Sequence, residues 1–121
     1  MHTHMSRKKP EKIPTKERQQ LLREFWMTVS LLHDVGEIQD FFRDLFSETE
    51  AVMFARRLKI AKLLLRGKSY GAIEREMKVS SATIASVHAW LDGGFGGYIK
   101  GVQRLERELR RQSSVEGRQR I

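Results

Sequence analysis

The sequence of 121 residues contains no cysteine. That absence excludes a disulfide framework and a thiolate metal site, and nothing demands an oxidising compartment, so a reducing cytoplasm is the expected setting. No apolar run approaches the ~18 residues needed to cross a bilayer. The N-terminal "MHTHMSRKKPEK" has no apolar segment behind its positive charges, so a soluble, non-secreted chain with no membrane partner is expected. Metal chemistry is equally poorly provided for. His2 and His4 sit in that N-terminal segment and are assigned no role, while His33 and His88 have no second histidine or cysteine at ligand spacing.

Catalytic patterns are missing too. The glycines of "GGFGGYIKG" (Gly93, Gly94, Gly96, Gly97, Gly101) match neither the dinucleotide nor the P-loop spacing, and they follow a helical pattern, so a helix-ending corner is their expected role. Asp40 and Asp44 share a helix face with Arg43 and solvent to satisfy them. No Ser-His-Asp arrangement can be inferred from scattered residues. An enzyme is not expected, nor is a cofactor.

What is present is positive charge. The formal net charge is +8, from 23 Lys and Arg against 15 Asp and Glu, with a sequence pI near 10.2. Such a balance suits a polyanionic partner. The segments "SRKKPEK", "RRLK" at 56–59, and "QRLERELRRQ" to "RQRI" carry much of the excess. Basic arms at both ends of a small domain are common where a phosphate backbone is gripped. The expected organisation is a basic N-terminal tail at 1–13, one helical domain at 14–110, and a basic C-terminal tail at 111–121. A chain this short leaves much of its surface wet as a monomer, which favours a homodimer.

Apolar periodicity then divides the domain. Leu21, Leu22, Phe25, Trp26, Val29 and Leu32 recur at three- and four-residue steps and predict a first helix from about 15 to 33, broken by "HDVGE" with Gly36 as punctuation. Ile38, Phe41, Phe42, Leu45 and Phe46 fit a short second helix. Ser47 and Glu50 have the capping-box spacing and start a third, carrying Val52, Met53, Leu58, Ile60, Ala61, Leu64 and Leu65 and stopping at Gly67. The second half of that helix is apolar nearly all round, as suits the centre of a bundle or dimer.

The stretch "KSYGAIEREMKVSSATIASVHAWL", 68–91, reads as two short helices with three residues between them. Ser69 can cap the first, and Ser80 or Ser81 the second. Counted from Tyr70, Ile73, Met77, Val79, Ile84 and Val87 fall at positions four, eight, ten, fifteen and eighteen. This is helix-turn-helix spacing: Ile73 and Met77 meet Ile84 and Val87 while Val79 plugs the corner. Two positions depart from it, with Lys78 standing where glycine is common and Glu74 where a small residue is usual. The outward face of the second helix offers Ser80, Ser81, Ala82, Ala85, Ser86 and Ala89 instead of the Lys and Glu of a simply solvated helix. Small side chains let a backbone approach the floor of a groove. Ser80, Ser81, Ala82, Thr83 and Ser86 are therefore candidate DNA contacts, with Arg75 and Lys78 as candidate phosphate contacts.

The segments "FFRDLF", "RRLKIAKLLLRGKSY", "SSATIASV" and "GGFGGY", in that order over 41–98, resemble the Trp repressor superfamily and within it the YerC/YecD group. The resemblance implies an all-α, Trp-repressor-like helical bundle with a helix-turn-helix, assembled as an intertwined homodimer on duplex DNA, and hence a repressor-like transcriptional regulator. In the Trp repressor two arginines meet the carboxylate of the tryptophan corepressor. Arg57 stands at the first of those positions, a possible contact for an anionic effector. The second falls on Ser86, which lacks the cationic fork that suits a carboxylate, so no response to tryptophan is expected. Two alternatives remain: a helical protein-interaction module, as in the polymerase-binding units of sigma factors, and a structured-RNA binder.

Overall fold

The computed structural model describes residues 12–119, and all its regular elements among them are α-helices. They are α1 (Thr15–Ser30), α2 (Val35–Leu45), α3 (Glu48–Leu65), α4 (Tyr70–Met77), α5 (Ser81–Gly93) and α6 (Gly97–Gln119). His2, His4 and most of the expected N-terminal tail lie outside the described residues, as do the last two residues of the C-terminal one. The chain divides into two compact units, Met1–Val52 and Met53–Ile121, with the boundary inside α3.

In the first unit, α1 begins after Pro14, whose carbonyl accepts the Arg18 N–H at 2.9 Å. It ends at Ser30, three residues short of the expected 33. Near that end the side chains compete for backbone carbonyls: the Thr28 hydroxyl donates to Glu24 O, and the Ser30 hydroxyl to Met27 O, each at 2.7 Å. The punctuation is also not Gly36, which lies in the first turn of α2. Asp34 does that work. Its Oδ1 accepts the Glu37 N–H at 2.9 Å, and Glu37 Oε1 reaches back to the His33 N–H at 2.8 Å. Phe25, Phe41 and Phe42 form a chain of ring contacts, with Trp26 edge-on to Phe25. Neither α1 nor α2 buries a residue completely, and Trp26 is 62% exposed.

The capping box is as expected: the Ser47 N–H donates to Glu50 Oε1 at 2.9 Å and the Glu50 N–H to Ser47 Oγ at 3.2 Å. At its other end α3 closes with Lys68 N–H donating to Leu63 O and Gly67 N–H to Leu64 O, both at 3.0 Å. This crossed pair needs a left-handed residue, and Gly67 supplies it with φ +84°.

The core of the second unit is built from Ile60, Ala61 and Leu63 of α3, Ile73 and Met77 of α4, and Ile84 and Val87 of α5, with Val79, Tyr70 and Tyr98 packed against them. A sixth helix, unanticipated from the sequence, follows the glycine corner and adds Val102 to the buried set. It runs without a break through residue 110, where the domain was expected to give way to a tail. At the corner, a side chain at Gly94 would put its Cβ 2.4 Å from the Trp90 carbonyl oxygen, and Gly96 has φ +80°. Phe95 between them is 99% exposed and stacks on Trp90, itself half exposed on α5.

A helix-turn-helix with an exposed small-residue face

The turn between α4 and α5 is three residues long because each is needed. Ser69 Oγ accepts the Ala72 N–H to open α4, and Ser80 Oγ accepts the Thr83 N–H to open α5, each at 3.2 Å. Between them, Lys78 adopts the left-handed conformation (φ 54°, ψ 49°), donating its N–H to Glu74 O at 2.8 Å. This explains the glycine preference at that position: a Cβ in this region costs about 1–2 kcal/mol. Val79 then turns inward and is half buried beneath the corner. Glu74, at the usual small-residue position, is accommodated half buried.

Two further ties hold the pair in place, and neither is apparent from the sequence pattern. Arg56 donates from Nη2 to the Met77 carbonyl at 2.8 Å, satisfying an otherwise orphaned acceptor at the end of α4. Tyr70 Oη lies 2.8 Å from His88 Nδ1, joining the start of α4 to the middle of α5, and the other ring nitrogen of His88 lies 3.6 Å from Asp92. Ligand spacing alone gives His88 no role. A Tyr at the head of one helix and a His on the inner side of the next is the signal that could have found it.

With Ile84 and Val87 turned into the core, α5 leaves Ser81, Ala82, Thr83, Ala85, Ser86 and Ala89 exposed. Arg75 and Lys78, on the last turn of α4 and the turn itself, are exposed too. The candidate hydroxyls are not equivalent. Ser80 is engaged as the cap and lies 3.0 Å from Thr83 Oγ1, whereas Ser86 accepts from Arg57 Nη2 at 3.3 Å.

Arg57 and Ser86 help to line a cleft of about 510 Å³ between α3 and α5, together with Met53, Ile60, Ala82 and Thr83. Arg57 Nε is buried there without a hydrogen-bond partner. Farther along α3, Arg66 clasps Glu106 of α6 through Nε and Nη2, at 2.9 and 3.0 Å. That hydrogen-bonded fork holds the Glu106 carboxyl below its ordinary range, against the opposing effect of desolvation, and raises the arginine in turn. Glu108 is lowered in the same way, first by its hydrogen bond from Arg111. Among the described residues no group of three or more His, Asp or Glu is placed to hold a metal ion, and no helix is long and apolar enough to cross a membrane.

Charge is divided unevenly between the two units. Residues 53–121 hold fifteen Lys and Arg against six Asp and Glu, while residues 1–52 hold eight against nine. The excess thus belongs to the helix-turn-helix unit, and the basic N-terminal segment is offset by acids within its own unit.

These features define an all-helical protein built around a helix-turn-helix. Its family follows from comparison: the family model described as Trp repressor protein matches residues 20–106, and the chain belongs to that family. It is 33% identical over 96 residues to the uncharacterized protein YerC of Bacillus subtilis (strain 168), a match covering 79% of this chain and 88% of that protein. Among solved structures it is similar to a TrpR like protein from Eubacterium eligens ATCC 27750, with a TM-score of 0.61 and 30% identity over 79% of this chain and 95% of that one.

Proposed function

We propose that this chain is a DNA-binding transcriptional regulator of the repressor type, working as a homodimer that presents α5 of each copy to the major groove of duplex DNA. The observation that carries this reading is the exposed face of α5. It has no acidic residue and no long side chain from Ser81 to Ala89 except the inward-tied His88, so its backbone can approach base edges closely.

In this reading Ser81, Ala82, Thr83 and Ser86 lie at base edges or phosphates, Ser80 holds the helix start in position, and Arg75 and Lys78 meet phosphates. Few side chains are long enough to read bases directly, so DNA shape and bridging water carry part of the selectivity. The excess of cations in the second unit supplies the sequence-independent attraction. The homodimer is supported by α1 and α2, which carry Leu21, Leu22, Phe25 and Val29 on α1 alone yet bury none of them fully within one chain. In this reading an anionic effector would meet Arg57, which lines the cleft between α3 and α5 and has a buried Nε without a hydrogen-bond partner.

Affinity selection from random duplex DNA, read by sequencing, tests the proposal. It is expected to yield a two-fold related motif, and Ala82→Glu is expected to abolish that enrichment while leaving the thermal unfolding midpoint in place. No enrichment from wild-type protein, or retention by A-form RNA in preference to DNA, would overturn it.

A further inference from the structure

Helix α6 continues well past the end of the family match at residue 106, to Gln119. Along it, Lys100, Arg104, Arg107 and Arg111 follow one another at steps of four, three and four residues. At 3.6 residues per turn these steps keep all four on one stripe, spread over ~16 Å of helix length. All four are exposed. Arg111 is paired with Glu108 on its own helix, but no ion pair engages Lys100, Arg104 or Arg107 among the described residues. The opposite side of the helix carries Val102, buried in the core, then Leu105 and Leu109.

We infer that this stripe is a second nucleic-acid contact, a sequence-independent grip on the phosphate backbone of duplex DNA that acts alongside α5. The inference rests on the DNA-binding reading above for its setting and on the stripe for its substance. Charge complementarity identifies the occupant. A cation every ~5 Å along a straight rod faces a duplex that carries one negative charge per ~1.7 Å of its axis. An anionic membrane is the weaker fit, because a helix lying in a bilayer interface turns its whole apolar face to the lipid, whereas α6 commits Val102 of that face to the core and leaves only Leu105 and Leu109 partly exposed.

The test uses the full chain with Lys100→Gln, Arg104→Gln and Arg107→Gln combined, compared with wild type for binding to a non-selected duplex across a salt series. The slope of log affinity against log salt should become shallower by about 0.9 for each phosphate that the variant no longer neutralises. The ranking of selected sequences should not change. Arg104→Lys with Arg107→Lys should keep the wild-type slope, since a backbone grip needs charge and not a fork. Circular dichroism melts confirm that each variant folds.

An unchanged slope in the triple variant overturns the inference, as does its failure to bind vesicles of anionic phospholipid that wild type binds, with DNA binding intact. The two readings fail separately. If Ala82→Glu abolishes DNA binding while the triple variant behaves as wild type, only the stripe is wrong. If Ala82→Glu has no effect but the triple variant flattens the slope, only the role of α5 is wrong. A wild-type chain that binds no duplex at all defeats both.

Discussion

Arg57 of α3 donates to the Ser86 hydroxyl of α5 across 3.3 Å, bridging 29 residues of sequence, and its Nε is buried beside that bond without a partner. The cation that would serve an anionic ligand is thus held in place by a neutral neighbour. A tryptophan carboxylate would find one guanidinium here and not two. Forgoing one charge-assisted partner typically costs about 1.5–3 kcal/mol. We predict that DNA binding does not require L-tryptophan. Calorimetric titration, paired with a DNA shift assay with and without the amino acid, checks this. Micromolar binding that switches DNA affinity would show that Ser86 does not disable the site.

Lys78→Gly should separate folding from binding. Glycine removes the left-handed penalty at this turn but loosens the unfolded chain, leaving a net gain of about 0.5–1 kcal/mol in denaturant unfolding. DNA affinity should nevertheless fall, because the phosphate contact proposed for this residue would lose its cation. A variant less stable than wild type would mean that the lysine side chain supports the turn.

Sedimentation at micromolar concentration should give the mass of two chains. Leu21, Leu58 and Leu65 are each more than a third exposed within one chain, as is Trp26, and Phe25 and Val29 are only half buried. A second copy would remove this surface from water at roughly 25 cal/mol per Å². A folded monomer under those conditions would count against the assembly.

The Arg66 and Glu106 pair should be visible in acid. Since the folded-state value of Glu106 lies below its ordinary one, the pair's contribution is complete above the ordinary carboxylate range and is lost as pH falls through the lowered value. Glu106→Gln should therefore make the acid limb of a plot of unfolding midpoint against pH shallower. Above neutrality the two proteins should run parallel. A variant whose acid limb matches wild type would show that the pair contributes nothing measurable.

Much of the helix-turn-helix could be read from residue spacing, because Ile73, Met77, Ile84 and Val87 must meet for the two helices to pack at all, and apolar periodicity records that need. The capping box at Ser47 and Glu50 was legible for a similar reason, being a local geometry three residues long. The end of α1 was harder to place. Competition by Thr28 and Ser30 for backbone carbonyls does not disturb the apolar pattern, which runs on to Leu32. Gly36 has the composition of a break, yet the carboxylate of Asp34 two residues earlier makes the cap. Helix α6 is hard to read because Gly97, Gly101 and Gly117 lower its intrinsic propensity, while its support comes from the burial of Val102 and from the Arg66 fork on Glu106, 40 residues away in sequence. The tie from Arg56 to a carbonyl 21 residues away leaves no trace in spacing whatever.

The chain has two tryptophans, and the fold puts one in each unit, Trp26 on α1 and Trp90 on α5. Each is more than half exposed and lies against a phenylalanine, Phe25 in one case and Phe95 in the other. The molecule therefore carries two indole fluorophores, excited selectively over tyrosine at the red edge of absorption, whose emission can be separated by replacing either with phenylalanine. With Trp26 removed, quenching and wavelength report on α5 alone; with Trp90 removed, they report on α1. Events at the two units can be timed independently in one protein without attaching a dye.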